Sequence, residues 1–376
     1  MNLNLNSGGR AAPLKRLDPS VNADASGSPV IVGLGAQTAI GLNMPANVAA
    51  VRAGLNSFQL SDYLLSYKNG QPLKLSQLET FPRATAPFDR MKNMAVAAAR
   101  EALTPWLQSR RSGRPSELAV FVSVPSGRPG IETPVIRRLV REIVAELPFE
   151  TAPPPYGIAA TGHEGGLAAL GYAVNLIRAG EIGTALLGGV DCYHDPGTLH
   201  WLEGQNRILT EDQGIGFVPG EGAGFVLLCS PAEARRMNSR IFSEVLATGR
   251  GLEERLWFTT KPCIGQGLTQ AFHAAFRDQH WHEQKVRFTY CDLNGESWRA
   301  DEWSYAYVRT GAHHASPLDL HHPAANWGDV GAASGPLLLA LASFELGRYC
   351  EPRDVALVWA ASDMRPYRSA CVLRRP

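Results

Sequence analysis

The sequence has almost no imbalance of charge. Its 376 residues carry 36 Lys and Arg against 35 Asp and Glu, a formal net charge of +1. Proteins that track nucleic acid or an anionic membrane usually carry a basic excess, so the balance argues against both partners. Cysteine is sparse: six, at positions 192, 229, 263, 291, 350 and 371, with no C-x-x-C. Cys192, Cys229, Cys291 and Cys371 each lie in an apolar, strand-like context, where cysteine behaves as a small hydrophobe. That usage excludes a disulfide framework and points to a reducing compartment. Long hydrophobic runs are also missing. The longest, Pro336 to Ala342, is far too short to span a bilayer. The first 28 residues are rich in Asn, Ser, Gly and Asp and lack the apolar core of a secretory signal. The 37 glycines and 26 prolines are scattered, which excludes a low-complexity tract. These absences predict a cytoplasmic protein.

What is present is a doubled α/β pattern. Residues 1–28 read as a flexible tail. Strand-like runs follow at Pro29–Val32, Leu118–Val124, Thr184–Leu187, Gly224–Leu228, Ile241–Ala247, Val286–Cys291, Val355–Ala360 and Ala370–Leu373. Helical patterns lie between them. Asp89–Leu103 places Met91, Met94, Ala95 and Ala98 near one face, and Leu167, Leu170, Val174 and Ile177 repeat at three- and four-residue steps. Gly331–Leu346 is nearly all apolar, which predicts a helix buried on every side. Strands apolar throughout, separated by helices, indicate sheets covered on both faces. The pattern occurs twice, giving halves at 29–238 and 239–376.

Three stretches invite a chemical reading. Gly33-Leu34-Gly35 starts like a dinucleotide fingerprint, but Thr38 stands at the third glycine position and no acidic residue follows about 20 residues on in a plausible second strand. A tight strand-to-loop turn is the better reading. His313-His314 and His321-His322, with His280 and His282 nearby in sequence, sit near Pro317 and Pro323. Adjacent histidines on an extended chain point to opposite faces, so a polar loop is preferred to a metal site. Ala159–Gly166 reads locally as a capping box, Thr161 with Glu164, opening a helix over Leu167–Ala179. It leaves His163 at the positive end of that helix, where the neutral imidazole is favoured and a reactive group or oxyanion would be at home.

The motifs in order resemble the β-ketoacyl-acyl-carrier-protein synthase family. Pro29–Gly41 followed by Ala46–Gly54 is similar to its opening strand and helix, and Arg90–Leu103 to its next helix. Gly171–Gly180 and Leu187-Gly188-Gly189-Val190-Asp191 resemble the helix and strand after its nucleophile. Gly216-Phe217-Val218-Pro219-Gly220-Glu221-Gly222-Ala223-Gly224 is the strongest match, with Gly220, Glu221 and Gly222 as its structural centre. Tyr290–Ser297 and Val330–Gly335 resemble the two histidine loops.

The resemblance implies a thiolase-like fold: two similar halves in five α/β/α/β/α layers, with no cofactor and no metal. It also implies an acyl carrier protein as partner, a dimeric state and a site made of one cysteine and two histidines. This sequence departs from that site at each position. Counted back from Gly171, the nucleophile falls on His163. Asn294 replaces the first histidine, and the second falls on Gly328, beside Asp329. Gly162 and Gly328 remain as backbone neighbours of an oxyanion. The glycine-rich gating loop is replaced by Ala360-Ala361-Ser362-Asp363. The expectation is a non-condensing, chain-length-factor-like partner of an active ketosynthase, or else a homodimer. Its dimer strand is expected at Thr184–Leu187 or Val120–Val124. The alternative is a divergent acyltransferase or thioester-processing enzyme using His163, Asn294 and Asp329. A third reading, with Cys291 as a substitute nucleophile, is weakened by its strand-like context.

Overall fold

Five apolar segments of the first half and five of the second pair into sheets of the same design. The computed structural model describes residues 27–110, 118–148, 156–210, 213–277 and 284–376, together with two short strands, Asn6–Ser7 and Arg10–Ala11. Most of the expected tail, and His280 and His282, lie outside the described residues.

The first-half strands are β1 (Val30–Thr38), β2 (Leu118–Ser123), β3 (Tyr156–Ala159), β4 (Thr184–Cys192) and β5 (Glu221–Cys229). They lie in the order β3-β2-β4-β5-β1. Strand β2 runs parallel to β3 and β4, and β5 antiparallel to β4 and β1. The second half has β6 (Ser243–Leu252), β7 (Val286–Cys291), β8 (His314–His321), β9 (Val355–Ala361) and β10 (Tyr367–Arg374). Their order is β8-β7-β9-β10-β6, again third-second-fourth-fifth-first and with the same strand senses. The sheets join edge to edge at β1 and β6 through Ile31–Ser243 and Val30–Glu244.

Alternation of side chains decides the layers. On β2, Val120 and Val122 face an outer cluster with Met91, Met94 and Ala98 of α2 (Pro87–Ala102) and Ile136, Leu139 and Val140 of α3 (Thr133–Glu146). Phe121 faces a central cluster with α4 (Gly165–Arg178) and α7 (Ser334–Tyr349). The second sheet turns Ala356 and Val358 to that centre. It turns Leu357 and Trp359 outward, onto α5 (Gln266–Ala275) and α6 (Ser297–Thr310). The result is the expected five-layered α/β/α/β/α body. Every residue of α7 from Ser334 to Leu346 is buried, as its apolar composition requires.

Several expectations need correction. Thr184–Leu187 and Val120–Val124 are interior strands, so neither offers a free edge; beyond β3 the sheet continues into the short strands Asn6–Ser7, which meets Tyr156, and Arg10–Ala11. The four-residue β3 carries too little periodicity to be read from sequence. The paired histidines are no loop either. His314–His321 is edge strand β8, parallel to β7, and an edge position tolerates Pro317. His314 packs against Phe276 and Trp303, and His321 stacks on Tyr290 at 4.6 Å.

Candidate functional site

The site gathers where α4 and α7 begin. Each follows one 3-10 turn, Gly162–Glu164 or Gly331–Ala333, entered through a glycine of positive φ (+75° and +50°). The capping box does not form. Thr161 makes no side-chain cap bond, and Glu164 accepts from Ser369 Oγ at 2.6 Å across to β10, because the 3-10 turn carries both side chains away from the helix end.

His163 is almost wholly buried. Its Nε2 lies 2.8 and 3.0 Å from the two Asp329 oxygens. Asn294 Nδ2 donates to Asp329 Oδ2 at 2.6 Å, and Gly331 N to Oδ1 at 2.8 Å. Thus the three expected residues meet around one carboxylate. The glycine-rich motif places it: Gly220 N donates to Asp329 O and Asp329 N to Val218 O, both at 2.8 Å. A Cβ on Gly220 would lie 2.6 Å from Trp327 O, so only glycine permits this backbone approach. Glu221 anchors the motif from beneath, accepting from Leu78 N and forked by the Arg90 guanidinium. Burial alone would raise the Glu221 carboxyl, but His194 and Arg90 hold it down to about 2. Gly222 contributes an extended position beside Gln37 and Leu337. Gly162 sits opposite Asp363 with room to spare. The Gly328 N–H instead donates to Ala324 O, so it is not free to serve an oxyanion.

Sequence reasoning passed over the arginines. Arg207 forks Glu296 (2.7 and 3.0 Å) and reaches Asp363 at 2.9 Å. Arg299 pairs with Asp292 at 2.7 Å, and Arg128 with Asp191 at 2.6 and 3.2 Å. No spacing motif connects positions 128, 207 and 299, which only the fold brings together. Three guanidinium groups therefore face five carboxylates (191, 292, 296, 329 and 363) in a buried cluster. A charged His163 brings the count closest to balance.

The electrostatics follow that count and correct the neutral imidazole expected at a helix start. Burial would lower the His163 pKa, but Asp329 outweighs it, with Asp363 adding, and the group sits above its ordinary value. For Asp329, burial is overcome by His163 and Arg299; for Asp363, by Arg207 and His163. Both carboxyls are held well below the usual range. The His163 Nδ1 has no hydrogen-bond partner, the nearest Asp363 oxygen being 3.9 Å away. The space beside it is about 10 Å³, lined by Arg128, Asp191, Tyr193 and Asp363, which suits a single water. An acyl chain does not fit there.

Cys291 is fully buried in β7, its thiol pushed up by burial, and it approaches His321 O rather than His163. Two trios bring potential metal ligands within 4.8 Å: Cys192, His194 and Glu221, and Glu253, Cys263 and Glu302. Glu221 and Glu302 are already forked by Arg90 and Arg368, so a cation at either would compete with a guanidinium. Among the described residues no helix is long and apolar enough to cross a membrane.

Comparison with known proteins agrees with this architecture. The β-ketoacyl synthase N-terminal domain matches residues 159–234, which run from β3 through the site helix to the Gly216–Gly224 motif. No curated protein matches the sequence. Among solved structures, a type II polyketide synthase acyl-carrier protein in complex with its ketosynthase aligns at TM-score 0.74 and 15% identity, covering 94% of this chain and 100% of that one. The ishigamide ketosynthase/chain length factor aligns at 0.68 and 20%, covering 93% and 99%. A ketosynthase from module 6 of the bacillaene synthase of Bacillus subtilis 168 aligns at 0.72 and 14%, covering 93% and 72%. The chain thus has the fold of these ketosynthases, and its residues 159–234 match the β-ketoacyl synthase N-terminal domain.

Proposed function

We propose that the chain is a non-condensing, chain-length-factor-like subunit that pairs with an active ketosynthase and serves an acyl carrier protein in polyketide or fatty acid synthesis. One observation carries the reading. His163 and Asn294, the residues the resemblance sets at the nucleophile and the first histidine, both bond to Asp329, and the space beside His163 holds about one water. Condensation needs a nucleophile and donors aimed at a developing oxyanion. The His163 imidazole, held to Asp329 through Nε2 and with room for about one water at Nδ1, is placed for neither role. An ionised Asp329 also opposes the charge that malonyl decarboxylation generates. The likeness to a ketosynthase/chain length factor at 20% identity supports the same reading.

We assign partner pairing to the margin of the first sheet, where the four-residue β3 leads into the His163 turn and the short strands Asn6–Ser7 and Arg10–Ala11 lie outside it. A dividing point between the halves at 238/239 falls just after the short helix Pro231–Arg236, where the first set of strands is complete.

A second reading, a thioester-processing enzyme, draws on the convergence of His163, Asn294 and Asp329. The size of the space beside His163 Nδ1 weighs against it, because a base must come within hydrogen-bond reach of the group it deprotonates.

The test is a condensation assay with malonyl- and acyl-carrier-protein. The chain alone should form no β-ketoacyl product, and adding a ketosynthase encoded beside it should produce a stable heteromer on gel filtration and alter product length. Product from the chain alone at a rate comparable to intact ketosynthases would sink the proposal. Thioester hydrolysis abolished by His163→Gln would favour the second reading.

A further inference from the structure

A pocket of about 440 Å³ opens to the surface on the other side of the ion network. Its walls include Phe58, Leu209, Val218 and Leu293, and its floor is Asn294 and Glu296. From that floor His163 is two hydrogen bonds away, through Asn294–Asp329 at 2.6 Å and Asp329–His163 at 2.8 Å. The small void at His163 shares none of this lining.

Arg207 bonds a lining residue of each. One end of its fork is on Glu296, in the pocket floor, and its Nη1 is on Asp363, in the wall of the void. Its guanidinium lies over Phe217 at 5.3 Å and Trp257 at 5.1 Å, and the side chain is only 2% exposed. Trp257 Nε1 in turn donates to Asp363 O at 2.9 Å, and Ser362 Oγ to Thr161 O at 2.7 Å. The segment carrying Asp363 is therefore clasped on two sides.

We infer that Arg207 is a plug: its ion pairs with Glu296 and Asp363 close the passage from the surface pocket to His163. A wall of packed apolar groups would yield only with movement of the backbone. A single guanidinium leaves by side-chain rotation, and the barrier is the desolvated charge of the two carboxylates it would abandon. The inference concerns access to His163 and stands whether or not the chain pairs with a ketosynthase.

The experiment uses His163→Cys in the full chain as a reporter, alkylated with iodoacetamide and located by peptide mapping. Cys192, Cys229, Cys291, Cys350 and Cys371 are buried and report the integrity of the fold. With Arg207 intact, the thiol introduced at position 163 should stay protected. Combining His163→Cys with Arg207→Ala should raise alkylation at that position by about tenfold or more while the five buried cysteines stay protected, the signature of a local opening. Arg207→Lys, which keeps the charge but cannot fork Glu296 and reach Asp363 together, should give an intermediate rate. If Arg207→Ala exposes the buried cysteines as well, the fold is lost and the lysine variant decides. Rapid labelling at position 163 with Arg207 in place would overturn the inference, as would continued protection in a folded Arg207 variant. Neither outcome involves a ketosynthase or carrier protein, so the test is separable from the functional proposal.

Discussion

Helices α4 and α7 hold equivalent places in the two halves, yet they begin on opposite chemistry. Each follows the third strand of its half, and each opens with one 3-10 turn after a left-handed glycine. The turn before α4 is Gly162-His163-Glu164, buried and ionisable; the turn before α7 is Gly331-Ala332-Ala333, buried and inert. The strand order around them is the same in both halves, so the asymmetry belongs to side chains. Fold and function are separable here: topology repeats, but only the turn before α4 puts an ionisable side chain into the charge network, and its partner Asp329 comes from the other half.

The largest effect on this comparison should come from Asp329, the carboxylate that ties both turns together through His163 Nε2 and Gly331 N. Asp329→Ala takes from the buried His163 and Asn294 the carboxylate they share, and breaking a buried pair from one side costs about 3–5 kcal/mol. Urea unfolding monitored by tryptophan fluorescence should show that loss; a change under about 1 kcal/mol would mean the network contributes little beyond packing.

Next come the two glycines. Gly162→Ala meets only side-chain atoms at 3.6 Å or more, so its cost is the left-handed backbone, about 1–2 kcal/mol. A Cβ on Gly331 would lie 2.0 Å from Asp191 Oδ2, which also holds Arg128 and Ala332 N. Gly331→Ala should therefore cost about 1–3 kcal/mol more than Gly162→Ala, the range for overpacking a well-filled site. Equal midpoints for the two variants would remove the asymmetry at this position.

The smallest expected effect is a pH dependence confined to the α4 side. His163 binds its proton more tightly folded than unfolded, because Asp329 outweighs burial. That contribution is complete below about pH 6.5, the unfolded value, and is lost as pH rises through the higher folded pKa. Wild-type stability should fall over that alkaline window, and His163→Gln should lose that component of the slope. At the other end, Asp329 and Asp363 have lowered pKa values, so their contribution is present above about pH 3.9 and fades only on further acidification. A wild-type stability curve that stays flat from about pH 6 to about pH 9 would mean that folding leaves the His163 pKa unshifted.

Much of the fold was legible. Runs such as Leu118–Ser123 and Val355–Ala361 are apolar because both faces of their sheets are covered, and continuous hydrophobicity records that directly. The apolar α7 and the Gly216–Gly224 motif were equally plain. Strand β8 was not, since its half-exposed edge mixes histidine, proline and aspartate and draws its pairing from β7. Within the site, His163, Asn294 and Asp329 could be located by motif register. The surrounding arginines Arg128, Arg207 and Arg299 could not, because an arginine shows in sequence neither its burial nor its carboxylate.

The sequence by itself determined the two-halved α/β order, the buried central helices and the identity of the groups at the helix start, because hydrophobic periodicity and motif register are local properties of the chain. Only the tertiary structure decided what those groups became. The charge of His163 depends on Asp329, 166 positions away, and the closure of its void on Arg207, Glu296 and Asp363. Coulombic energy depends on distance and on the water excluded around the pair, and neither exists until the layers have closed.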